Sequence, residues 1–244
     1  IGEDVTAGTE VMRKGQVLTP ARIGLAAALG LATLPVARRP TVAVFITGDE
    51  LVEPGLPLRP GQVYNSNRDL LMGLLRAEGL EPTAWPTLPD EPERMQVMLA
   101  DAASAFDVVI TSGGVSAGQK DHLPGLLGAH GRIAFWKVRM KPGMPVLFGE
   151  WERALFLCLP GNPVSTLATL LTLGRALLDG LQGRDDPRPA WQAHLGAAWR
   201  KGHARLEFLR GELKPDGRGG LRVLPNTADA SHQLRAAADS NALI

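Results

Sequence analysis

An α/β fold, a doubly wound and mostly parallel sheet with helices on both faces, is what this 244-residue sequence predicts, and three observations predict it. Short apolar runs alternate with helix-period segments between residues 40 and 182, the order of strand–helix–strand units whose sheet is covered on two sides. The runs lead into loops rich in glycine and acid, at 47–51, 88–90 and 112–121, and in such sheets the loops leaving the carboxyl ends of strands converge on one crevice. Hydrophobic residues make up 45% of the chain, enough at this length to bury a full core.

Each element has a local reason. Residues 1–38 form a small leading piece in which Thr19 caps a helix, Pro20 takes its first position, Ile23 to Leu29 is apolar and Gly30 stops it. Arg38-Arg39-Pro40 is a polar hinge into the strand 41–47. A helix over 66–78 carries Leu70, Leu71, Leu74 and Leu75 at one-face spacing and stops at Gly79. Strand 81–87, helix 91–105, strand 107–111 and helix 121–128 follow. Apolar runs at Ile133–Trp136, Val146–Phe148 and Leu155–Leu157 precede a helix from Pro163 to Leu181, with Asn162 as N-cap.

The charged, proline-rich stretch Gly183–Pro189 ends this α/β domain, taken as 39–183. Residues 184–244 change to short alternating runs separated by turns at Lys201-Gly202, Pro215-Asp216-Gly217 and Pro225-Asn226, which predicts a small β domain with its last strand cut short.

Composition excludes some classes. A formal net charge of +1 gives no global field toward nucleic acid or an anionic membrane. Cys158 is the single cysteine, so one chain forms neither an internal disulfide nor a cysteine metal cage, and a reducing cytoplasm suits it. No apolar run reaches the ~18 residues expected of a span, and Ile1-Gly2-Glu3-Asp4 does not read as a signal peptide. A chain without an initiating Met reads as a fragment.

The densest chemistry is Ser112-Gly113-Gly114-Val115-Ser116-Ala117-Gly118, directly after Val108-Val109-Ile110-Thr111. Its glycines permit turns that aim successive N–H groups at one point, an anion cradle. Asp49, Glu50, Asp90 and Asp121 lie on the neighbouring loops, and acids beside an anion make sense when Mg²⁺ bridges them to a phosphate. Each also has a structural explanation: Asp90 stands at capping-box spacing from Glu93, Asp121 can cap the helix containing Leu123 and Leu127, and Asp49 or Glu50 can anchor the turn at Gly48.

If Phe135 to Met140 is a strand, Lys137, Arg139 and Lys141 share one face, either solvated or turned to a bound anion. Pro160-Gly161-Asn162-Pro163 joins a close-approach glycine to a helix N-terminus, with Ser165 in the first turn; it is an anion site or a capped helix. In the last domain, Arg205 and Arg210 fit a charged sheet edge, which discourages sheet-to-sheet aggregation.

Four segments together, Thr47-Gly48-Asp49-Glu50-Leu51, the cradle, Lys141-Pro142-Gly143-Met144-Pro145 and Leu159-Pro160-Gly161-Asn162-Pro163-Val164-Ser165, resemble the molybdopterin molybdotransferases of molybdenum cofactor synthesis. The resemblance runs from Gly2-Glu3-Asp4-Val5 to Asn241-Ala242-Leu243-Ile244. It implies an enzyme that takes adenylylated molybdopterin (molybdopterin-AMP) and molybdate and releases AMP with the finished cofactor. It implies Glu50, Asp90 and Asp121 as Mg²⁺ ligands ahead of Asp49, and Ser112, Gly113, Gly114, Val115, Ser116 and Gly118 at the pterin phosphate. Lys137, Lys141, Pro160, Gly161, Asn162, Pro163 and Ser165 then line the molybdate and pterin region, with Arg210 or Arg205 as a cation and Ser231 as a donor on the molybdate side.

The resemblance also implies a cytoplasmic homodimer with transient contacts to molybdopterin adenylyltransferase and molybdoenzyme acceptors, further sequence before Gly2-Glu3-Asp4, and continuation past the last residue. Met144 stands where many relatives place a second lysine, and Ala230-Ser231-His232 replaces a glycine-bordered serine. Two rivals are a molybdopterin adenylyltransferase, which shares the cradle type, and a non-catalytic scaffold of the kind homologous segments form in gephyrin.

Overall fold

A computed structural model describes residues 3–116, 118, 121–228 and 230–244. Gly2 of the opening segment and Ala117 of the cradle lie outside the described residues. In chain order the elements begin with α1 (Pro20–Ala28), β1 (Val42–Ile46), β2 (Leu51–Val52), β3 (Val63–Tyr64), α2 (Ser66–Ala77), β4 (Thr83–Ala84), α3 (Pro92–Ala105) and β5 (Val108–Ser112). There follow α4 (Leu123–His130), β6 (Arg132–Trp136), β7 (Met140–Lys141), β8 (Leu147–Trp151), β9 (Ala154–Leu159) and α5 (Pro163–Thr169), which continues through a π-helical turn (Leu170–Gly174) into α6 (Arg175–Leu181). The last part holds β10 (His194–Leu195), β11 (Leu206–Glu207), β12 (Arg210–Pro215), β13 (Leu221–Pro225), α7 (Leu234–Ala238) and β14 (Ala242–Leu243).

The main sheet has the order β4-β1-β5-β9-β8-β6. Strands β4, β1, β5 and β9 pair in parallel, while β8 runs against both β9 and β6. Every residue of β1 and β5 is buried, as strands covered on both faces require. One face carries Phe45, Val109 and Phe156 against Met95 and Leu99 of α3 and Leu123 and Leu127 of α4. The other carries Val44, Ile110 and Leu157 against Leu71, Met72 and Leu75 of α2 and Leu170 and Leu178 of the long helix. The doubly wound expectation holds.

That topology fixes where a ligand crevice forms. The chain leaves β1 for β4 on one side, then crosses back so that β5 lies on the other, making β1 and β5 the point where strand order reverses. Loops from their carboxyl ends diverge to opposite faces and leave a cleft between them. These are the Thr47 loop and the glycine cradle.

Several local expectations change. The strand expected over 81–87 is paired only at Thr83–Ala84, with an isolated bridge from Thr47 to Leu88. The helix Pro163–Leu181, 19 residues with mean hydropathy 1.3 over its most apolar window, is long and apolar enough by length and composition to cross a membrane, contrary to the sequence reading. Val164, Ala168, Leu170 and Leu178 are buried, which is the pattern of a core helix packed on a sheet. Thr169 and Thr172 donate from Oγ1 to the carbonyls of Ser165 and Ala168, one turn back, where the π-helical turn forms.

Residues near the C-terminus form a separate sheet, β10-β13-β12-β14. Arg210 opens β12, an interior strand, and is 5% exposed, so the reading of it as a charged sheet edge is wrong. The small β unit reaches back to the main domain through β11, which pairs in parallel with β7. The leading piece docks on the linker: Val17 N–H donates to Asp186 Oδ2 at 2.9 Å, and Arg22 pairs with the same carboxylate.

Candidate functional site

The cradle is built by close approach of three loops. Gly113 has φ +97° and Gly114 φ +68°, conformations that glycine adopts without Cβ strain. A side chain at Gly113 would collide with Thr47, whose carbonyl oxygen lies 3.0 Å from where the Cβ would sit. A Cβ on Gly161 would fall 3.6 Å from Gly113 Cα. Glycine is therefore required at Gly113 by both its backbone conformation and the space around it.

Beneath these glycines lies an uncharged hydrogen-bond lock. Ser112, at the end of β5, is 1% exposed, and its Oγ contacts the Pro160 carbonyl at 3.1 Å and Thr166 Oγ1 at 3.3 Å. Asn67 Nδ2 donates to Ser112 Oγ at 2.9 Å and to the Gly161 carbonyl at 2.7 Å. Thr166 Oγ1 donates to the Pro160 carbonyl at 2.7 Å. The Ser112 hydroxyl thus points into the scaffold, not to a ligand.

Sequence reasoning missed Asn67. In Asn65-Ser66-Asn67 it looks like part of a helix start, and Asn65 is indeed the N-cap of α2, accepting from Arg68 N–H at 3.3 Å. Asn67 Oδ1 is buried with no hydrogen-bond partner among the described residues. Only the fold reveals that this side chain clamps the cradle to the Pro160 loop.

Farther along, Val115 is buried against the core and its carbonyl accepts from Trp136 Nε1 at 3.0 Å. Ser116 and Gly118 are exposed. Asp121 Oδ2 accepts from Gly118 N–H at 2.6 Å and closes the loop. It does not cap α4, whose N-cap position is His122. Likewise Glu91, not Asp90, occupies the N-cap of α3, and it makes no side-chain cap bond; its carboxylate accepts from Arg94 at 2.6 Å instead. Asp90 is partly buried beside the Thr47–Leu88 bridge. Glu50 is exposed and folds over Gly48.

Glu50, Asp90 and Asp121 thus stand on loops at one sheet edge, but they form no ready-made cage: among the described residues no three His, Cys, Asp or Glu side chains gather to hold a metal. The expected three-carboxylate set is not assembled. These residues fit the looser case in which Mg²⁺ arrives on a substrate phosphate and takes one or two carboxylates.

The cationic side departs further from expectation. β6 ends at Trp136, and Lys137 takes φ +66°, so Phe135 to Met140 is not one strand and Lys137, Arg139 and Lys141 do not share its face. Lys137 is exposed and sets its Nζ 4.3 Å from the Trp136 ring centroid, a cation–π contact. Lys141 lies in β7, facing Glu207 of β11, with Nζ 3.2 Å from the carboxylate. Gly143, φ +107°, packs so tightly on Thr169 of α5 that no Cβ fits, which seats the Lys-Pro-Gly segment on the helix carrying Ser165.

Asn162 is the N-cap residue of α5 by position but makes no side-chain cap bond; its Nδ2 donates to Ser231 Oγ at 2.8 Å. Val164 N–H donates to the Ser231 carbonyl at 3.1 Å. The Ser231 loop therefore covers the start of α5, with Pro163 at the first helical position and Ser165 buried in the first turn. Pro160, Gly161, Asn162, Pro163 and Ser165 adjoin Ser231 of the β unit, while Lys141 faces Glu207 at the seam of β7 and β11. Met144 is exposed.

Glu207 is the second residue that sequence reasoning left without a role. Its side chain is 8% exposed, and it accepts from Trp199 Nε1 at 3.2 Å and meets His203 Nε2 at 3.0 Å besides Lys141. Burial opposes its charge, but the hydrogen bonds from Trp199, Lys141 and His203 outweigh burial and leave its pKa below the usual carboxylate range.

A doubly wound sheet with a glycine-rich loop at its switch point and a small β unit on one flank defines the class as a doubly wound α/β protein with an appended β domain. The family described as "Probable molybdopterin binding domain" matches residues 43–180, and "MoeA C-terminal region (domain IV)" matches residues 192–244. The chain belongs to this molybdopterin-binding family.

It is 39% identical over 246 residues to the molybdopterin molybdenumtransferase of Haemophilus influenzae, and 41% identical over 251 residues to molybdopterin molybdenumtransferase 2 of Mycobacterium tuberculosis. All of this chain and 61% of each relative are covered, so the chain spans less than two thirds of the length of these curated relatives. The crystal structure of the molybdopterin biosynthesis moeA protein from Pyrococcus horikoshii OT3 superposes with a TM-score of 0.79 at 28% identity, covering 100% of this chain and 58% of that one.

Proposed function

We propose that the protein is a molybdopterin molybdotransferase, which takes adenylylated molybdopterin and molybdate, inserts molybdenum and releases AMP. The observation that carries this reading is the switch-point cradle, where Gly113 and Gly114 are packed on Thr47 and Gly161 with the molybdenumtransferase-type β unit closing over the start of α5. The identity to named molybdenumtransferases along the whole chain supports it.

In this reading, the backbone N–H groups of Gly114, Val115 and Ser116 receive the phosphate region of the pterin, while Gly113, whose N–H donates to the Leu159 carbonyl, and Gly118, whose N–H donates to Asp121, shape the loop that Asn67 and Ser112 hold rigid. Preorganised amides stabilise developing phosphoryl charge without reorganising. Lys141, Ser165, Gly161 and Asn162 receive molybdate, with Arg210 and Ser231 contributed by the β unit. Lys137 supplies a further positive charge at the rim. One or two of Glu50, Asp90 and Asp121 would hold Mg²⁺ at the bound phosphoanhydride, and the ion would supply Lewis-acid polarisation there. The sulfur chemistry belongs to the pterin ligand, and the protein orients it.

The proposal extends to a cytoplasmic homodimer that receives substrate from an adenylyltransferase and passes cofactor to molybdoenzymes. To test the activity, full-length protein is given adenylylated molybdopterin, Mg²⁺ and molybdate, and AMP is followed. AMP release should depend on molybdate and Mg²⁺ and should fall on Glu50→Ala. Molybdate-independent release, or accumulation of adenylylated product from molybdopterin and Mg²⁺-ATP, overturns the reading.

A further inference from the structure

Lys141 and Glu207 come from different domains, yet the backbone forces them together. β7 and β11 pair in parallel with Lys141 opposite Glu207. Leu206 N–H donates to the Arg139 carbonyl at 2.9 Å, and Phe208 N–H to the Lys141 carbonyl at 2.8 Å, so the register is held on either side of the pair. Residues directly paired across strands project from the same face. The carboxylate meets the ammonium at 3.2 Å in a setting where Glu207 is far more buried than Lys141, 8% against 30% exposed. A small cavity lined by Lys141, Glu207, Arg210 and Asn226 opens at this junction.

The asymmetry of burial gives the pair a direction. A lysine stem has four rotatable carbons, and fixing it costs conformational freedom unless something already holds it. Glu207 cannot itself wander: Trp199 Nε1 and His203 Nε2 fix its two oxygens at 3.2 and 3.0 Å. The carboxylate is therefore an anchored acceptor, and Lys141 the more exposed partner that it aims.

We infer that Glu207 is a positioning residue for Lys141, holding the ammonium oriented and protonated at the junction where the oxyanion substrate is received. Its effect on turnover rests on the proposed molybdotransferase reading; its effect on the Lys141 amine does not. Glu207 touches no reacting atom. It acts through the lysine and through the seam between the two domains.

The test has two arms on the full-length protein. In the first, acylation of Lys141 by an amine-reactive ester is timed by peptide mass spectrometry. Glu207→Ala should speed labelling about tenfold, the change produced by lowering an ammonium pKa by one unit, and Glu207→Gln, which keeps the size and one acceptor oxygen but not the charge, should speed it in the same direction in protein that still unfolds cooperatively. Labelling at the wild-type rate in Glu207→Gln overturns the inference.

In the second arm, Glu207→Ala should raise the KM for molybdate about tenfold while the KM for adenylylated molybdopterin stays within about twofold, and Lys141→Ala combined with Glu207→Ala should be no worse than Lys141→Ala alone, because residues acting through one another are non-additive. Additive losses overturn the inference. Wild-type protein that never responds to molybdate removes the functional reading and leaves the labelling arm to judge Glu207 by itself.

Discussion

The two halves of the candidate site are built from different materials. The cradle half is backbone, with Gly113 and Gly114 in left-handed conformations over a floor of neutral hydrogen bonds among Asn67, Ser112, Thr166 and Pro160. The cation half is side chains brought from two domains, with Lys141 on Glu207 and Asn162 on Ser231. A backbone site of the first kind is rigid and insensitive to salt, and breaks when space is taken from it. A side-chain site of the second kind responds to charge and to the seating of one domain on the other.

The largest effect should come from taking space in the cradle. Gly113→Ala places a Cβ into Thr47 at φ +97° and should cost roughly 2–4 kcal/mol of stability, combining conformational strain and overpacking. It should also lower molybdate-dependent AMP release by more than about tenfold. Denaturant unfolding and initial rates check the two parts. A variant with wild-type stability and rate would show that the loop is loose, and the contrast between halves would fail.

Next comes the floor. Asn67→Ala removes one amide donor that makes two hydrogen bonds and leaves Ser112 Oγ and the Gly161 carbonyl with one partner fewer, at a cost of about 1–3 kcal/mol. The rate should fall with little dependence on ionic strength. A loss that vanishes in low salt would place Asn67 in the electrostatic half instead.

Ser231→Ala sharpens the other side. It deletes the Asn162–Ser231 bond, an exposed contact, and should cost only about 0.5–1.5 kcal/mol. Its kinetic effect should appear in the KM for molybdate. Equal damage to both substrates' KM would mean that the Ser231 loop supports the whole cleft.

Away from the site, Asp107 provides a pH readout of the sheet's opposite end. The Arg38 guanidinium, helped by Thr41, holds its carboxyl well below the usual range. With the folded pKa below the unfolded one, the unfolded chain binds more protons as pH falls, so this stabilisation is complete above about pH 5 and declines below about pH 4. Unfolding followed from pH 7 to pH 3 should lose part of its acid slope in Asp107→Asn. Smallest of all, Cys158 is fully buried, its thiol pushed up to about 12 by burial, and native protein should resist thiol reagents at neutral pH.

These contrasts also explain what could be read in the sequence. β1, β5 and α2 were readable because uninterrupted burial, one-face leucines and glycine stops are local signals. Thr19 was readable as a cap for the same reason, and its hydroxyl accepts from Arg22 N–H. The backbone half was foreseen as a glycine run, since positive-φ turns announce themselves in composition. The direction of β8, the break at Lys137 and the roles of Asn67 and Glu207 were not readable, because each depends on which segments pair: β8 forms a hairpin with β9, Lys141 lies opposite Glu207, and Asn67 reaches Gly161, 94 positions away. Ser112 was overread: a serine beside glycines suggests a ligand contact, but its place at the buried end of β5 turns the hydroxyl inward.

Amide NMR shifts on titrating the full-length protein with adenylylated molybdopterin test the central claim most directly. The account predicts that the largest changes fall on the N–H groups of Gly114, Val115 and Ser116. Saturable binding that leaves those amides unmoved while shifting residues elsewhere would contradict it.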